Sequence, residues 1–407
     1  MTKRQVVVAT LAVPEPERDS GAKRLDDMIS FLLASGWQVT LVTTRPARAP
    51  AAVEGLERRG VAVLHLARGE IAALAARVRF DLALLAFWPT AELLIPLLRR
   101  VSPATRVLVD SVDLHFLRLA RRIAANAGAA EPLDPGFADQ KMGELNTYAA
   151  ADGVLTVSGR EADLINDMLD QPNLALVAPD SEEVEPDGLP FSRRRGVLFV
   201  GSFTHAPNID AAWHLCRNIV PRLPAEVLAA HPVLVVGSGL SDEVRAFADG
   251  QPHVHMIGWV PSLAPYYEQA RISIVPLLSG AGTKRKLIQA LMWGTPSVTT
   301  SIGAEGLDLL DQRDVLIADD ASDFATAITR LLTDEPLWQA LAQHGRQRMI
   351  ESHSRVLARA AFDAAVEAVL DRSPKGPMLP DGGDDLYRQR LEYQHQQLQT
   401  LPGARRD

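Results

Sequence analysis

Three cations in a row, Lys284-Arg285-Lys286, follow a loop with two glycines, Gly280-Ala281-Gly282-Thr283, and open an expected helix through Trp293. The helix macrodipole puts partial positive charge at that end, so each cation there costs about 0.3–1 kcal/mol. An arriving anion reverses the penalty, and bare loop amides add donors. The chemistry this pattern predicts is capture of an anion, against the plainer alternative of a basic helix start. Thr283 is placed to cap the helix, and Gly294 and Pro296 close it. The loop lacks the Gly-Lys-Ser/Thr ending of a Walker loop.

Three further loops carry polar groups where a strand is expected to end. In Asp19-Ser20-Gly21-Ala22-Lys23-Arg24, Gly21 permits close backbone approach and Arg24 offers a fork of donors; a capped surface helix explains the same residues. Asp110, Asp113 and His115 crowd a second strand end, where His115 can bind a sugar hydroxyl or serve as a structural histidine. A metal site there lacks ligands. Gly201-Ser202-Phe203-Thr204-His205 ends a third strand, with Asn208 expected to cap the next helix.

The elements that must position these loops follow from hydrophobic periodicity. Val6–Ala9, Val39–Val42, Val61–Leu66, Leu82–Phe87, Val107–Val109 and Gly153–Val157 are apolar runs of strand length. Leu25, Met28, Ile29, Leu32 and Leu33 recur at helical spacing, with Gly36 as a stop. Ser158 and Glu161 form an expected capping box. The alternation restarts with Val197–Val200, Val233–Val236, Val254–Ile257, Ile272–Val275, Ser297–Thr300 and Val315–Ile317. Two long helices, Glu335–Ile350 and Ser354–Leu370, close the pattern. Alternating strands and helices predict two parallel sheets in an α/β fold, with ligands beyond the carboxyl ends of the strands.

Length and composition agree. The 407 residues suit two α/β domains rather than one core. A net charge of −8 gives no general attraction to nucleic acid, and Arg193-Arg194-Arg195 reads as a solvated linker run. The single cysteine, Cys216, excludes an internal disulfide, reads as a buried helical thiol and fits a cytoplasmic location. No apolar run is long enough to span a bilayer, and the first run reads as a strand rather than a signal peptide.

Taken together, these residues resemble the GT-B glycosyltransferases, specifically the large retaining family numbered four. The resemblance runs from about Val6 to Leu370. It rests on Val197–Phe203 with His205, Pro207, Asn208 and Asp210; on Gly280–Lys286 with Ala290, Gly294 and Pro296; and on Gly303-Ala304-Glu305-Gly306-Leu307. In the first half, Asp19-Ser20-Gly21 and Asp110 with Asp113-Leu114-His115 also look like the family. One departure stands out: the family usually carries glutamates at the places held here by Ala281 and Gln289.

The resemblance implies two Rossmann-like parallel-sheet domains facing across a cleft. It implies a nucleotide-diphosphate sugar held mainly by the second domain, an acceptor held by the first, and transfer to a hydroxyl with retention, without metal or cofactor. The catalytic residues would be His115, Asp113 and Lys286. Donor contacts would come from Gly21, Arg24, Gly201, His205, Gly280, Ala281, Gly282, Thr283, Lys284, Arg285, Gln289 and Glu305, with Gln289 on the ribose. The expected boundaries are 1–180, a linker 181–195, 196–352, a helix 353–371 crossing back to the first domain, and a polar tail 372–407. The acceptor is open among glycan, lipid-linked, protein and small-molecule hydroxyls. Peripheral membrane contact through Arg118, Arg121 and Arg122 and the oligomeric state are open as well. Two alternatives remain: a catalytically silent sugar-nucleotide-binding subunit and a sugar-nucleotide epimerase.

Overall fold

In the computed structural model, residues 3–17, 19–47, 49–126, 135–186 and 188–376 are described. The expected tail therefore lies outside the described residues beyond residue 376. Seven strands form the first sheet: β1 (Gln5–Thr10), β2 (Gln38–Thr43), β3 (Ala62–His65), β4 (Leu82–Ala86), β5 (Arg106–Asp110), β6 (Gly153–Thr156) and β7 (Ala175–Val177). Six form the second: β8 (Val197–Val200), β9 (Val233–Val236), β10 (Val254–Gly258), β11 (Ile272–Val275), β12 (Ser297–Thr299) and β13 (Leu316–Ile317). Every pairing is parallel, as when Gln5 faces Gln38 and Thr10 faces Thr43.

The apolar runs form strands because helices cover both faces of each sheet, so Val6, Val7 and Val8 are all buried. Strand β7 escapes the sequence reading: three residues are too short to show a period. The expected Val61–Leu66 strand shortens to β3.

Strand order places the site. The first sheet runs β3-β2-β1-β4-β5-β6-β7 and the second β10-β9-β8-β11-β12-β13. Each therefore reverses direction once, between β1 and β4 and between β8 and β11. At such switch points the connecting helices diverge to opposite faces and leave a crevice beyond the strand ends. The loops after β1, β8 and β11, singled out by residue type, open at these crevices.

The chain passes between the lobes at two adjacent places. Glu182 and Ser354 form a parallel bridge. The Glu182 amide donates to the His353 carbonyl at 2.9 Å, and the Arg355 amide donates to the Glu182 carbonyl at 3.0 Å. From Ser354, the helix Arg355–Leu370 lies against the first sheet and buries Phe362, Ala365, Val366 and Val369 beside Phe31.

The arginine run 193–195 departs from its sequence reading. Arg193 and Arg195 are exposed, but Arg194 is buried. Its guanidinium donates to the carbonyls of Leu189, Tyr267, Ala270 and Trp293 and to the Thr295 hydroxyl. These acceptors replace the water it loses, which a count of charges along the chain does not reveal. Cys216 is buried in a helical turn, as expected.

Candidate functional site

Beyond β11 the helix of the cation cluster spans Arg285–Met292, with Lys284 at its N-cap and no side-chain cap. Thr283 does not cap it. The helix begins one residue later, with Lys284 at the N-cap, and the Thr283 hydroxyl donates across the cleft to Asp180 Oδ2 at 2.7 Å. Each helical residue turns about 100°, so the three cations part company. Arg285 turns to the linker, reaching Glu182 at 2.5 Å, the Ser181 carbonyl at 2.6 Å and Asp27 at 3.6 Å. Lys284 folds back onto the carbonyls of Ala281, at 3.3 Å, and Gly282. Burial lowers it to about 8, against the pull of Glu305 and Glu161.

Lys286 differs from both. Its ammonium donates to Asn208 Oδ1 at 2.5 Å and lies 5.1 Å from the centre of the Phe199 ring. A side chain added at Gly201 would come within 3.2 Å of it, so the missing side chain leaves its niche open at the end of β8. Among the described residues no carboxylate pairs with it. Burial, then the charge of Lys284, lowers it to about 7. Asn208 is not the expected helix cap. His205 holds that position, while the Asn208 amide spans the Ser202 carbonyl, at 2.7 Å, and Lys286.

Burial and the charge of Arg118 lower His205, which also feels Asp113, Asp19 and Lys286. Gln289 accepts from the Tyr267 hydroxyl at 3.4 Å. With Tyr267, Leu263, Trp293 and the linker acids Glu182 and Glu185 it lines a cavity of about 160 Å³.

The first lobe supplies the opposite wall. Asp19 caps the helix Ser20–Ala34 through the Ala22 amide at 2.7 Å. Gly21 is wedged between Phe87 and Val112; an added side-chain carbon would approach their side chains to 3.1 and 3.4 Å. Both neighbours have left-handed backbones, φ +67° for Phe87 and +63° for Val112. Strained positions for such side chains are over-represented at binding sites.

Arg24 does not face the cleft. It is buried against Asp110, at 2.9 and 3.0 Å, the Ala178 carbonyl at 2.7 Å and Asp180 at 3.4 Å. His115 is fixed at both ring nitrogens: Nδ1 accepts from the Trp88 indole at 3.1 Å, and Nε2 lies 3.2 Å from Asp113 Oδ1. Assigned from these partners, the ring proton lies on Nε2. Burial works to raise the Asp113 carboxyl, but the His115 bond and the Arg118 charge, at 2.5 Å, outweigh it and hold the group below its usual range. Glu144 anchors the start of this helix by accepting from the His115 and Phe116 amides at 2.9 and 2.8 Å.

The loop Gly280–Thr283 bridges the lobes. Arg121 donates to the Gly280 carbonyl at 2.7 Å and to Glu305 Oε1 at 2.5 Å. The Gly282 amide donates to Glu161 Oε1 at 3.0 Å. Gly282 has φ +67°, and an added side chain there would meet Asp113 at 3.0 Å, so both backbone and space call for glycine. Glu161 thus does not complete the capping box. Ser158 still accepts from the Glu161 amide, but the Glu161 carboxylate reaches across the cleft.

The structure therefore brings Gly21, Asp113, His115, Gly201, His205, Lys284, Lys286 and the 280–283 loop to one cleft, with Glu305 on its rim and Gln289 on the adjoining cavity. Arg24 and Arg285 are committed to buried ion pairs. Arg118 and Arg121, two of the arginines through which membrane contact was left open, are bound to Asp113 and to Gly280 and Glu305. Glu161, Arg121, Asp180 and Trp88 are cleft residues to which sequence reasoning gave no part in the site. Glu161 was read as part of a capping box and Arg121 as an open candidate for membrane contact; Asp180 and Trp88 carried no local signal. Among the described residues no group of His, Cys, Asp and Glu side chains is arranged to hold a metal, and no helix is long and apolar enough to cross a membrane.

Two parallel-sheet lobes whose switch points face each other across a cleft, with a closing helix returned to the first lobe, define the GT-B architecture. Residues 194–334 match the model of a family described as Glycosyl transferases group 1, and the resemblance read from the sequence is borne out there. Among solved structures, the chain is similar to a sucrose-phosphate synthase from Thermosynechococcus elongatus, with 18% identity, a TM-score of 0.67, and 90% of this chain and 99% of that one covered. A glycosyltransferase from Rickettsia africae matches with 12% identity and a TM-score of 0.69 over 92% and 100% of the two chains. Anabaena HepE, solved with UDP and glucose, matches with 11% identity and a TM-score of 0.67 over 90% and 100%. At such identities the likeness is one of fold. No curated protein matches the sequence.

Proposed function

We propose that this protein is a glycosyltransferase that moves a sugar from a nucleotide-diphosphate sugar to an acceptor hydroxyl, with retention and without metal. One observation carries the reading: the half-buried Lys286 ammonium sits at the end of β8, beside the open space at Gly201, and among the described residues no carboxylate pairs with it. A partly desolvated cation without a counter-ion gains from an arriving anion, and a diphosphate is an anion whose charge suits that place. As the bond to the anomeric carbon breaks, the leaving diphosphate gains charge, and Lys286 is already in position to stabilise it. Gln289 serves the ribose from the adjoining cavity. His115, held between Trp88 and Asp113, meets the transferred sugar or the acceptor. The HepE complex with UDP and glucose supports such a donor on this fold.

Lys286→Ala tests the reading. Losing a charge-assisted contact worth about 1.5–3 kcal/mol should weaken nucleoside diphosphate binding by roughly 10- to 100-fold in calorimetry. Turnover should fall while the unfolding transition is unchanged. Equal affinity in the variant removes Lys286 from the site and with it the basis of this reading. Ala281, at a place where the resembled family usually has a glutamate, favours a second reading, a silent sugar-nucleotide-binding subunit. Diphosphate binding with no transfer to any acceptor hydroxyl would establish it.

A further inference from the structure

Glu161 lies outside the residues to which the proposed donor reading gives work. Its carboxylate is enclosed between the lobes, with the residue 5% exposed. One oxygen accepts from the Gly282 amide. The other, Oε2, is buried, and no donor meets it with hydrogen-bond geometry, although the Leu114 amide stands near the carboxylate. A buried acceptor without a donor is unfavourable, and such a group calls for a water, an ion or a ligand to complete it. Its neighbours fix where it faces. Asp113 repels it, and the Gly282 amide, Lys284 and the Leu114 amide attract it. Asp113 in turn holds His115 and lies within the field of His205, which also feels Lys286. The free oxygen thus belongs to the same cleft as the cation, on the side of Asp113 and His115, where a sugar carried by the diphosphate would project.

We propose that Glu161 is a specificity-determining residue: Oε2 accepts a hydrogen bond from a hydroxyl of the transferred sugar, while Oε1 keeps the Gly282 loop closed over it. The inference rests on the donor reading above. It gives the first lobe a direct part in recognising the donor sugar and ties recognition to closure, since one carboxylate serves both. The site is reached when the lobes part and is sealed when the Gly282 amide returns. Burial, with the repulsion of Asp113, raises the carboxyl to about 7, so below that pH the added proton occupies the acceptor that the hydroxyl requires.

The test compares matched ligands by calorimetry at about pH 8: UDP with UDP-glucose, GDP with GDP-mannose and ADP with ADP-glucose. The wild-type protein should bind one sugar nucleotide about tenfold or more tighter than its bare diphosphate. Glu161→Ala should abolish that preference while leaving diphosphate affinity within about twofold. Glu161→Gln, which fills the same space, keeps the test decisive if the alanine variant fails to fold, and it should reduce the preference at least fivefold. A preference unchanged in the folded variant, or no preference in the wild type, overturns the role of Glu161 alone. Failure of every diphosphate to bind the wild type overturns the donor reading first.

Discussion

Lys286 is half of the argument about chemistry, and its protonation makes that half measurable. With the free ammonium near 7, an increasing share of the protein lacks the charge as pH rises. A bound diphosphate favours the charged form, so binding above about pH 7 must take up a proton. Nucleotide-sugar affinity should then fall by about tenfold per pH unit until the raised, ligand-bound value is passed. Calorimetry across about pH 6 to 9, in buffers of different ionisation enthalpy, reads both the fall and the uptake. Lys286→Arg, always charged, should flatten the profile. A flat wild-type profile would place the ammonium away from the phosphates. The cation cluster was legible in the sequence, but not which member faces the cleft. Successive helical residues diverge, and the Arg285 partners Asp27 and Glu182 come from distant parts of the chain. Glu161 was hidden for a related reason. Ser158 followed by Glu161 is a helix-start signature, and only the opposite lobe shows that the carboxylate is used elsewhere.

At the scale of elements the strands were the most legible part, because a strand covered on both faces leaves an unbroken apolar run. The helix Arg355–Leu370 was also readable as a long amphipathic segment. Its packing against the first sheet came with the family resemblance, not with its own period. Its Phe362 is 1% exposed and faces Phe31 with ring centres 5.9 Å apart. Phe362→Ala should therefore cost about 3–5 kcal/mol. Urea unfolding followed by circular dichroism checks this, and a loss below about 1 kcal/mol would mean that the helix is not anchored to the first lobe as described. What sequence could not supply were the acceptors around Arg194, all of them backbone carbonyls or a threonine hydroxyl brought together by folding.

At the scale of the molecule, polar contacts between the lobes among the described residues include Arg121 on Gly280 and Glu305, Arg160 on Glu305, Glu161 on Gly282, Asp180 on Thr283 and Arg285 on Asp27. Arg121 carries two of these contacts and lies on a helix that contributes nothing to the Lys286 niche. Arg121→Ala should shift the ligand-free protein towards an open form, seen as a larger radius of gyration in small-angle X-ray scattering. Saturating nucleotide sugar should restore the compact value. An unchanged radius in the free variant would show that closure does not depend on this arginine.

The bridge between Glu182 and Ser354 bears on how such a molecule can move at all. Two threads of chain join the lobes and are bonded to each other at one point, which is where a hinge between the lobes would centre. On the proposed donor reading, the lengths of the two threads would set how the sugar is aimed at its acceptor. Residues can be inserted at the far rims of either lobe without altering that aim. One residue added to either thread would redirect the entire second lobe.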